Sequence, residues 1–478
     1  MVVPVRPAFA GYRPTTMIQR AVRGLFLLAA LLQLGAGPAM ASAAPSWGGP
    51  VTLGPTGRES SPPEIVVTPD GEAIAVWEGG RPGRIEVSSR RPGKGWTPAV
   101  TVGTGANPHL VATTGKAVVV WLGGVRVDGG KAEAILASTR LRGGRWSRPV
   151  DISAEKQWAS EPEVEPPCVG INRRGKVIAF WAGSDEGHLA EYRYKSATQS
   201  ARSRKWAAPV AVQYSIAGEA AQVGVTPAGE AVAVWGATYD EEAAIEWSSR
   251  PADGRWTLPR ELASPGEFPE PRLAITSKGE AIAAWEDLKG FEGPGDGLRV
   301  AARKPGSRRW RSRALAPHED AHHPTIVTRP GGRATVVWVR TAASGAREVV
   351  TSTHSAGAGW TAPVSLAGEG LRLPDEAYPE ITVSDRSETI AAWASGGERG
   401  QRTIIQASSR PGGGSWRAPT NISRSPPAPM FGTADLKVAV APGGEAFAIW
   451  RSYDGRGWVI RTASRTPAGS DSADPRGT

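Results

Sequence analysis

Eight times along the chain the same alternation of apolar and polar positions returns. The first copy reads Pro63-Glu64-Ile65-Val66-Val67-Thr68-Pro69-Asp70-Gly71-Glu72-Ala73-Ile74-Ala75-Val76-Trp77, two apolar runs around a Pro-Asp-Gly turn signal. Short runs with β-branched members, bounded by Pro, Asp and Gly, predict a pair of antiparallel strands. The closing tryptophan returns at 121, 181, 235, 285, 338, 393 and 450, at intervals of 44 to 60 residues. In five copies a proline stands 14 residues before it, at Pro63, Pro167, Pro271, Pro324 and Pro379. Constant spacing inside the phrase and variable spacing between phrases mark a structural unit joined by loops.

A second phrase alternates with the first: a tryptophan, a proline two or three residues on, then a short apolar run. It occurs at Trp47, Trp96, Trp146, Trp206, Trp256, Trp360 and Trp416, and Trp310 keeps the place without the proline. The two phrases take 16 of the 19 tryptophans. Each unit therefore parses as four strands, in the first copy Glu64 to Thr68, Ala73 to Glu78, Arg84 to Arg90 and Trp96 to Val102. Four short strands repeated radially predict an all-β, eight-bladed β-propeller of four-stranded blades, with seven blades as the alternative. A fourth-strand phrase (Trp47 to Leu53) precedes the first unit, and the last unit ends after its third strand. The N-terminal strand is thus expected to complete the last blade and close the ring.

Composition narrows this reading. With 59 Gly and 41 Pro but 40% hydrophobic residues, the chain is turn-rich rather than disordered. Arg20 and Arg23, an apolar run from Leu25 to Leu34, and the small-residue sites Ala39-Met40-Ala41 and Ala41-Ser42-Ala43 predict a signal peptide over 1–43, cleaved after Ala41 or Ala43. Its apolar run is too short to span a bilayer comfortably, so a secreted or cell-envelope protein without a membrane span is expected. Residues 44–465 then form a single propeller domain, and the Ser-, Asp- and Gly-rich segment 466–478 a disordered tail. Cys168 is the only cysteine, which excludes an internal disulfide, and it falls in an apolar strand pattern. Four arginines of the leader contribute to the net charge of +10, and no nucleic-acid-binding motif accompanies the remainder. No nucleic-acid partner and a monomer are expected.

The turn between the third and fourth strands resembles the Asp-box of bacterial-neuraminidase repeats, Ser/Thr-x-Asp-x-Gly-x-Thr/Ser-Trp. The nearest copy is Ser409-Arg410-Pro411-Gly412-Gly413-Gly414-Ser415-Trp416, with Pro where the Asp belongs. Ser89/Gly93/Trp96, Thr139/Gly143/Trp146 and Thr353/Gly357/Trp360 keep the frame without the Asp. The resemblance is to sialidase-like propellers, where the box is a structural turn on the face away from the catalytic site. It implies an arginine triad, a Tyr–Glu nucleophile pair and an acid Asp. This chain has no Phe-Arg-Ile-Pro phrase, and its arginines gather at third-strand ends (Arg90, Arg91, Arg250, Arg410), on the wrong face for substrate.

His318-Glu319-Asp320-Ala321-His322 has the His-Glu-x-x-His spacing of zinc proteases, a chemistry that needs a helix. Pro317 and Pro324 bracket it, so it is read as a polar loop between a fourth and a first strand. His318, His322 and His323 are candidate ligands there for a divalent metal. Trp158, in the longest such loop, is read as a loop anchor that could also stack on a sugar. Acidic residues crowd the loops of the same face: Glu161, Glu163, Glu165, Asp185, Glu186, Asp240, Glu241, Asp287, Asp375 and Glu376 are the candidate ligand-binding residues. The expected function is a secreted, non-catalytic binding or scaffold propeller that meets a glycan or a protein at this acidic face. The alternatives are a carbohydrate-active enzyme of sialidase-like fold, hydrolase or lyase, and a metal-dependent activity on the same face.

Overall fold

In all eight second strands the five residues ending at the recurring tryptophan are buried, and this sets the architecture. The structure, a computed structural model, describes residues 46–466 except 81–82, 128–129, 143, 154–156, 159–165, 185–191, 213–219, 240–241, 267–269, 288–296, 318, 330, 343, 356–358, 367–372, 374–377, 397–401 and 428–434. Leader, cleavage sites and tail lie outside the described residues. No helix among the described residues is long and apolar enough to cross a membrane.

The strands form eight antiparallel meanders. Blade 1 runs Glu64–Val67, Ala73–Gly79, Arg84–Arg90 and Val100–Thr104. The first strands of blades 2 to 8 are Ala106–Thr113, Cys168–Ile171, Gln222–Val225, Arg272–Ile275, Asp320–Arg329, Glu380–Val383 and Lys437–Val440. First strands of successive blades touch all the way round, blade 8 against blade 1 included. Blade 8 (Lys437–Val440, Ala446–Tyr453, Trp458–Arg465) takes the N-terminal strand Val51–Pro55 as its fourth, with Val51 opposite Thr462. The architecture is an eight-bladed propeller closed by its N-terminal strand.

The turn joining first and second strands explains the Pro-Asp-Gly signal. Thr68 N–H donates to Glu72 O (2.9 Å), the Thr68 hydroxyl accepts from Glu72 N–H (3.0 Å), and Gly71 N–H donates to Thr68 O (2.8 Å). Gly71 sits at φ +86°, which a side chain tolerates poorly. Thr226/Gly229 and Thr276/Gly279 repeat the arrangement.

The recurring tryptophans seal the junctions between blades. Trp77 packs with Ala439, Phe447, Ile449 and Ile460 of blade 8, and Trp121 with Ile74, Val76, Ile85 and Val87 of blade 1. The tryptophan of the second phrase seals the same junction: Trp96 joins Trp77 against blade 8, and Trp146 joins Trp121 against blade 1. Small Ala73 and Ala75 let the sheets converge toward the axis, and both are fully buried. Polar pairs at the rim reinforce this, with Arg140 Nη2 2.7 Å from Glu72, Arg90 Nη2 2.8 Å from Glu445, and Arg465 Nη2 2.6 Å from Glu388. Arg90, Arg140 and Arg465, at third-strand ends, are therefore inter-blade fasteners, whereas Arg250 donates to Gly254 O in its own blade.

Three sequence expectations need correction. The second-phrase tryptophan precedes the fourth strand instead of opening it, since blade 1's fourth strand begins at Val100. Pro98 offers no N–H for a ladder, so the segment is fastened otherwise: Thr97 N–H donates to Ser89 O (2.9 Å) and the Ser88 hydroxyl to Thr97 O (2.7 Å). Trp158 belongs to the short strand Gln157–Trp158, paired with the third strand of blade 2, and is not a loop residue. The His-Glu-x-x-His phrase is not wholly a loop either: Asp320 to His322 open the first strand of blade 6, with a bulge between His322 and Thr325, and His318 lies outside the described residues.

Two outcomes test this account. Deleting 46–55 strips blade 8 of its fourth strand and exposes the edge of Trp458–Arg465, so the truncated protein should aggregate or melt far below the parent. Trp285→Ala should cost about 3–5 kcal/mol in urea unfolding, as expected for a fully buried aromatic. Unchanged melting of either variant contradicts the ring as described.

Candidate functional site

Reading down one column of the repeat assembles a ring. Glu64, His109, Cys168, Gln222, Arg272, Thr325, Glu380 and Lys437 each pair, in register, with the residue just before their own blade's buried tryptophan. All eight line one cavity of about 640 Å³ at the end of the channel where the first strands begin. Apolar Leu110, Val169, Val223, Leu273 and Ile326, each the next residue in its strand, also line it, with Leu436 just before Lys437. The mouth thus carries acid, imidazole, thiol, amide, guanidinium, hydroxyl and ammonium groups over an aliphatic throat.

Four consecutive blades hold most of the charge. Lys437 of blade 8 is ion-paired with Glu380 of blade 7. Glu64 Oε1 of blade 1 lies 2.8 Å from His109 Nδ1 of blade 2, and its Oε2 accepts the Leu110 N–H at 2.6 Å. Burial works to raise the Glu64 pKa, but the charge and hydrogen bond of His109, the Leu110 N–H and the charge of Lys437 outweigh it and hold the carboxyl below its usual range. For His109, burial pulls the pKa down and Lys437 adds to that, yet the charge and hydrogen bond of Glu64 prevail and raise it. On another side of the mouth Arg272 Nη2 lies 3.0 Å from Glu270. Burial drives the Cys168 thiol up to about 12, which makes it inert as a nucleophile.

A satellite cluster adjoins the ring. Tyr378 is 43% exposed at the cavity wall, and its ring centroid lies 4.0 Å from that of His323. Glu286, directly after Trp285 in the second strand of blade 5, accepts the His323 N–H at 2.6 Å. It also lies 3.3 Å from His322 Nδ1, while His322 Nε2 lies 2.5 Å from Asp320. The hydrogen bond to Glu286 raises the His322 pKa, burial opposes, and the charges of Glu286 and Asp320 add to the rise. His323 adopts φ +52° where the bulge turns the chain into the strand.

Of the residues singled out from sequence, the structure brings together His322 and His323, beside the ring. Asp287 is only 4% exposed and ion-paired with Arg299 on the neighbouring strand. Glu161, Glu163, Glu165, Asp185, Glu186, Asp240, Glu241, Asp375, Glu376 and His318 lie outside the described residues. Among the described residues no group of three or more His, Cys, Asp or Glu is arranged to hold a metal ion. The ring itself was missed, although its signal is present: it is the column one residue after the recurring proline, shifted by one in blade 2, where a shorter turn follows Thr113.

No family model matches the chain, and no curated protein matches it. Solved structures with a similar fold include the polysaccharide lyase Uly1 (10% identity over 87% of this chain and 91% of that one, TM-score 0.45). The NanB sialidase from Streptococcus pneumoniae is another (10% identity, 83% of each chain, TM-score 0.36). A third is a protein of unknown function from Dyadobacter fermentans (15% identity, 65% of this chain and 98% of that one, TM-score 0.39). At these identities the likeness is one of fold alone.

The paired ionisations predict a pH signature. His109, raised in the folded state, contributes stability that is complete below the ordinary imidazole pKa and is lost as pH rises through its folded value. Glu64, held low, contributes stability that is present above the ordinary carboxylate pKa and is lost as pH falls through its folded value. The stability advantage of the wild type over His109→Gln should therefore be largest near about pH 5–6 and shrink by about pH 9. Urea unfolding of both proteins across that range reads it directly, and an advantage that grows with pH would mean His109 is neutral in the fold.

Proposed function

We propose that this protein is an exported, non-catalytic binding propeller that receives an uncharged, hydroxyl-rich ligand, the end of a glycan, at the ringed channel mouth. The observation that carries the reading is the ring itself: donors and acceptors from all eight blades surround one cavity, and their charges are already compensated among themselves. A ligand entering there gains hydrogen bonds without having to supply charge. Tyr378, exposed beside the ring, offers a flat apolar face with a polar tip, which suits a sugar ring. Export rests on the leader pattern, and the acidic residues named from the sequence are proposed as further contacts for the same ligand.

Hydrolysis of a glycosidic bond by a carboxyl pair needs one carboxyl kept protonated and a second free to act. Both ring carboxylates have cationic partners, and Glu64 is held ionised, which favours binding over turnover. One observation favours the second reading, a carbohydrate-active enzyme: His109 faces the cavity with its orientation fixed by Glu64, the arrangement of a general base. Membership of the sialidase-like propellers, on the degenerate turn motif, belongs to the same proposal.

A glycan array probed with the mature chain, followed by product analysis on any glycan bound, separates the readings. Binding should weaken at least about tenfold in Tyr378→Ala and in Glu380→Gln, with Tyr378→Ala melting like the parent. Release of new reducing or unsaturated ends would replace the binding reading with the enzymatic one. Binding undiminished in both variants would place the ligand elsewhere.

A further inference from the structure

The opposite end of the channel holds a charge imbalance that the repeat itself exposes. Nine residues before the buried tryptophan, six blades carry a small turn residue: Thr68, Asn172, Thr226, Thr276, Ser384 and Ala441. Blade 6 carries Arg329 there. Five residues before the tryptophan the chain has Glu72, Glu230, Glu280, Glu388 and Glu445, or a lysine in blades 2 and 3. Blade 6 carries Arg333.

The consequence falls on the neighbouring blade. Glu72, Glu230, Glu388 and Glu445 each pair with the arginine at the third-strand end of the following blade. Arg410 of blade 7 occupies that third-strand position, opposite Thr389, and the repeat position that supplies its counterparts with a glutamate is Arg333 in blade 6. Arg410 donates to the Thr353 hydroxyl (2.8 Å) and lies over the face of Trp416 (5.1 Å). At the junction of blades 3 and 4, Lys176 and Arg250 also meet, but the charge of Asp253 acts on Lys176.

Arg329 is 5% exposed, and its Nε has no hydrogen-bond partner, although an Nη donates to Ser387 O. It lines a cavity of about 410 Å³ together with Arg173, Asn172, Thr276, Thr328 and one acid, Asp385. Burial, then the charges of Arg410 and Arg333, depress its pKa to about 10, so it stays charged at neutral pH beside like charges. A buried cation with like charges near it and one donor unpaired, at the wall of a cavity, is a costly arrangement unless an anion completes it.

We propose that this end of the channel, at the junction of blades 6 and 7, binds an oxyanion, a sulfate, phosphate or carboxylate group, anchored by Arg329 and flanked by Arg410 and Arg333. A guanidinium presents donors in a planar fork that matches such a group, and the burial of Arg329 strengthens the contact. The group is either a free ion or carried on a larger molecule. The site lies at the other mouth from the ring of eight and stands independently of what that ring binds.

Inorganic sulfate and phosphate, titrated calorimetrically and in thermal melts against chloride at matched ionic strength, test it. The wild type should show saturable heat and a saturable rise in Tm with sulfate or phosphate beyond that with chloride. Arg329→Thr installs the residue of blades 1, 4 and 5, so it should fold, and it should bind sulfate at least about tenfold more weakly. Arg333→Glu gives Arg410 the partner its counterparts have, so it should raise Tm without anion and weaken the anion response. A sulfated monosaccharide preferred over inorganic sulfate, with its unsulfated parent inert, supports a carried group, and equal affinity supports the free ion. A sulfate response no larger than that of chloride, or equal in wild type and Arg329→Thr, overturns the proposal.

Discussion

The junction between neighbouring blades is the interaction on which everything else in this fold depends. Each sheet is too small to bury its second strand alone, and each buries it by pressing two tryptophans onto the preceding blade. Because every blade leans on the one before it, the arrangement has no natural end. It becomes stable only by returning to its start, which the strand Val51–Pro55 achieves by joining blade 8.

Closure also creates the two candidate sites. Once eight copies are held in register around an axis, any one position of the repeat becomes a ring. Positions that seal junctions must stay the same, and the tryptophans and the Ala-x-Ala pairs of several second strands do. Positions facing the axis have no such duty, and there the copies diverge into Glu64, His109, Cys168, Gln222, Arg272, Thr325, Glu380 and Lys437. Divergence within a repeat is thus a physical pointer to where the scaffold requirement is relaxed. Arg329 points the same way at the other mouth, where the remaining blades keep a small turn residue.

Electrostatics divides the molecule similarly. At third-strand ends arginines reach across junctions to glutamates in the adjoining turn, and several lie over aromatic rings, as Arg140 does over Trp146. These pairs are partly buried and hold blades together at their rims. The mouth uses like chemistry to another end: Glu64, His109, Glu380 and Lys437 compensate one another across four blades and leave donors and acceptors facing a cavity.

The amino-acid sequence by itself determined the number of blades, the four-strand unit and the closing strand, because burial of a tryptophan at fixed spacing is a local constraint repeated eight times. It also determined that the third-strand arginines sit away from the ringed mouth, though not that they clasp the next blade. Local pattern misplaced what depends on pairing across strands: the segment after Trp96 is fastened by Ser88 and Thr97 before its ladder begins, and Asp320 to His322 extend a strand despite two flanking prolines. Asp287 looked like a loop acid until its strand partner Arg299 was in view. Only the tertiary structure decided which residues converge. Glu64 and His109 lie 45 residues apart, and Lys437 is far from both in the chain, yet ring closure makes the three neighbours. No periodicity along one dimension states that the last unit stands beside the first, and the chemistry of both mouths follows from that fact.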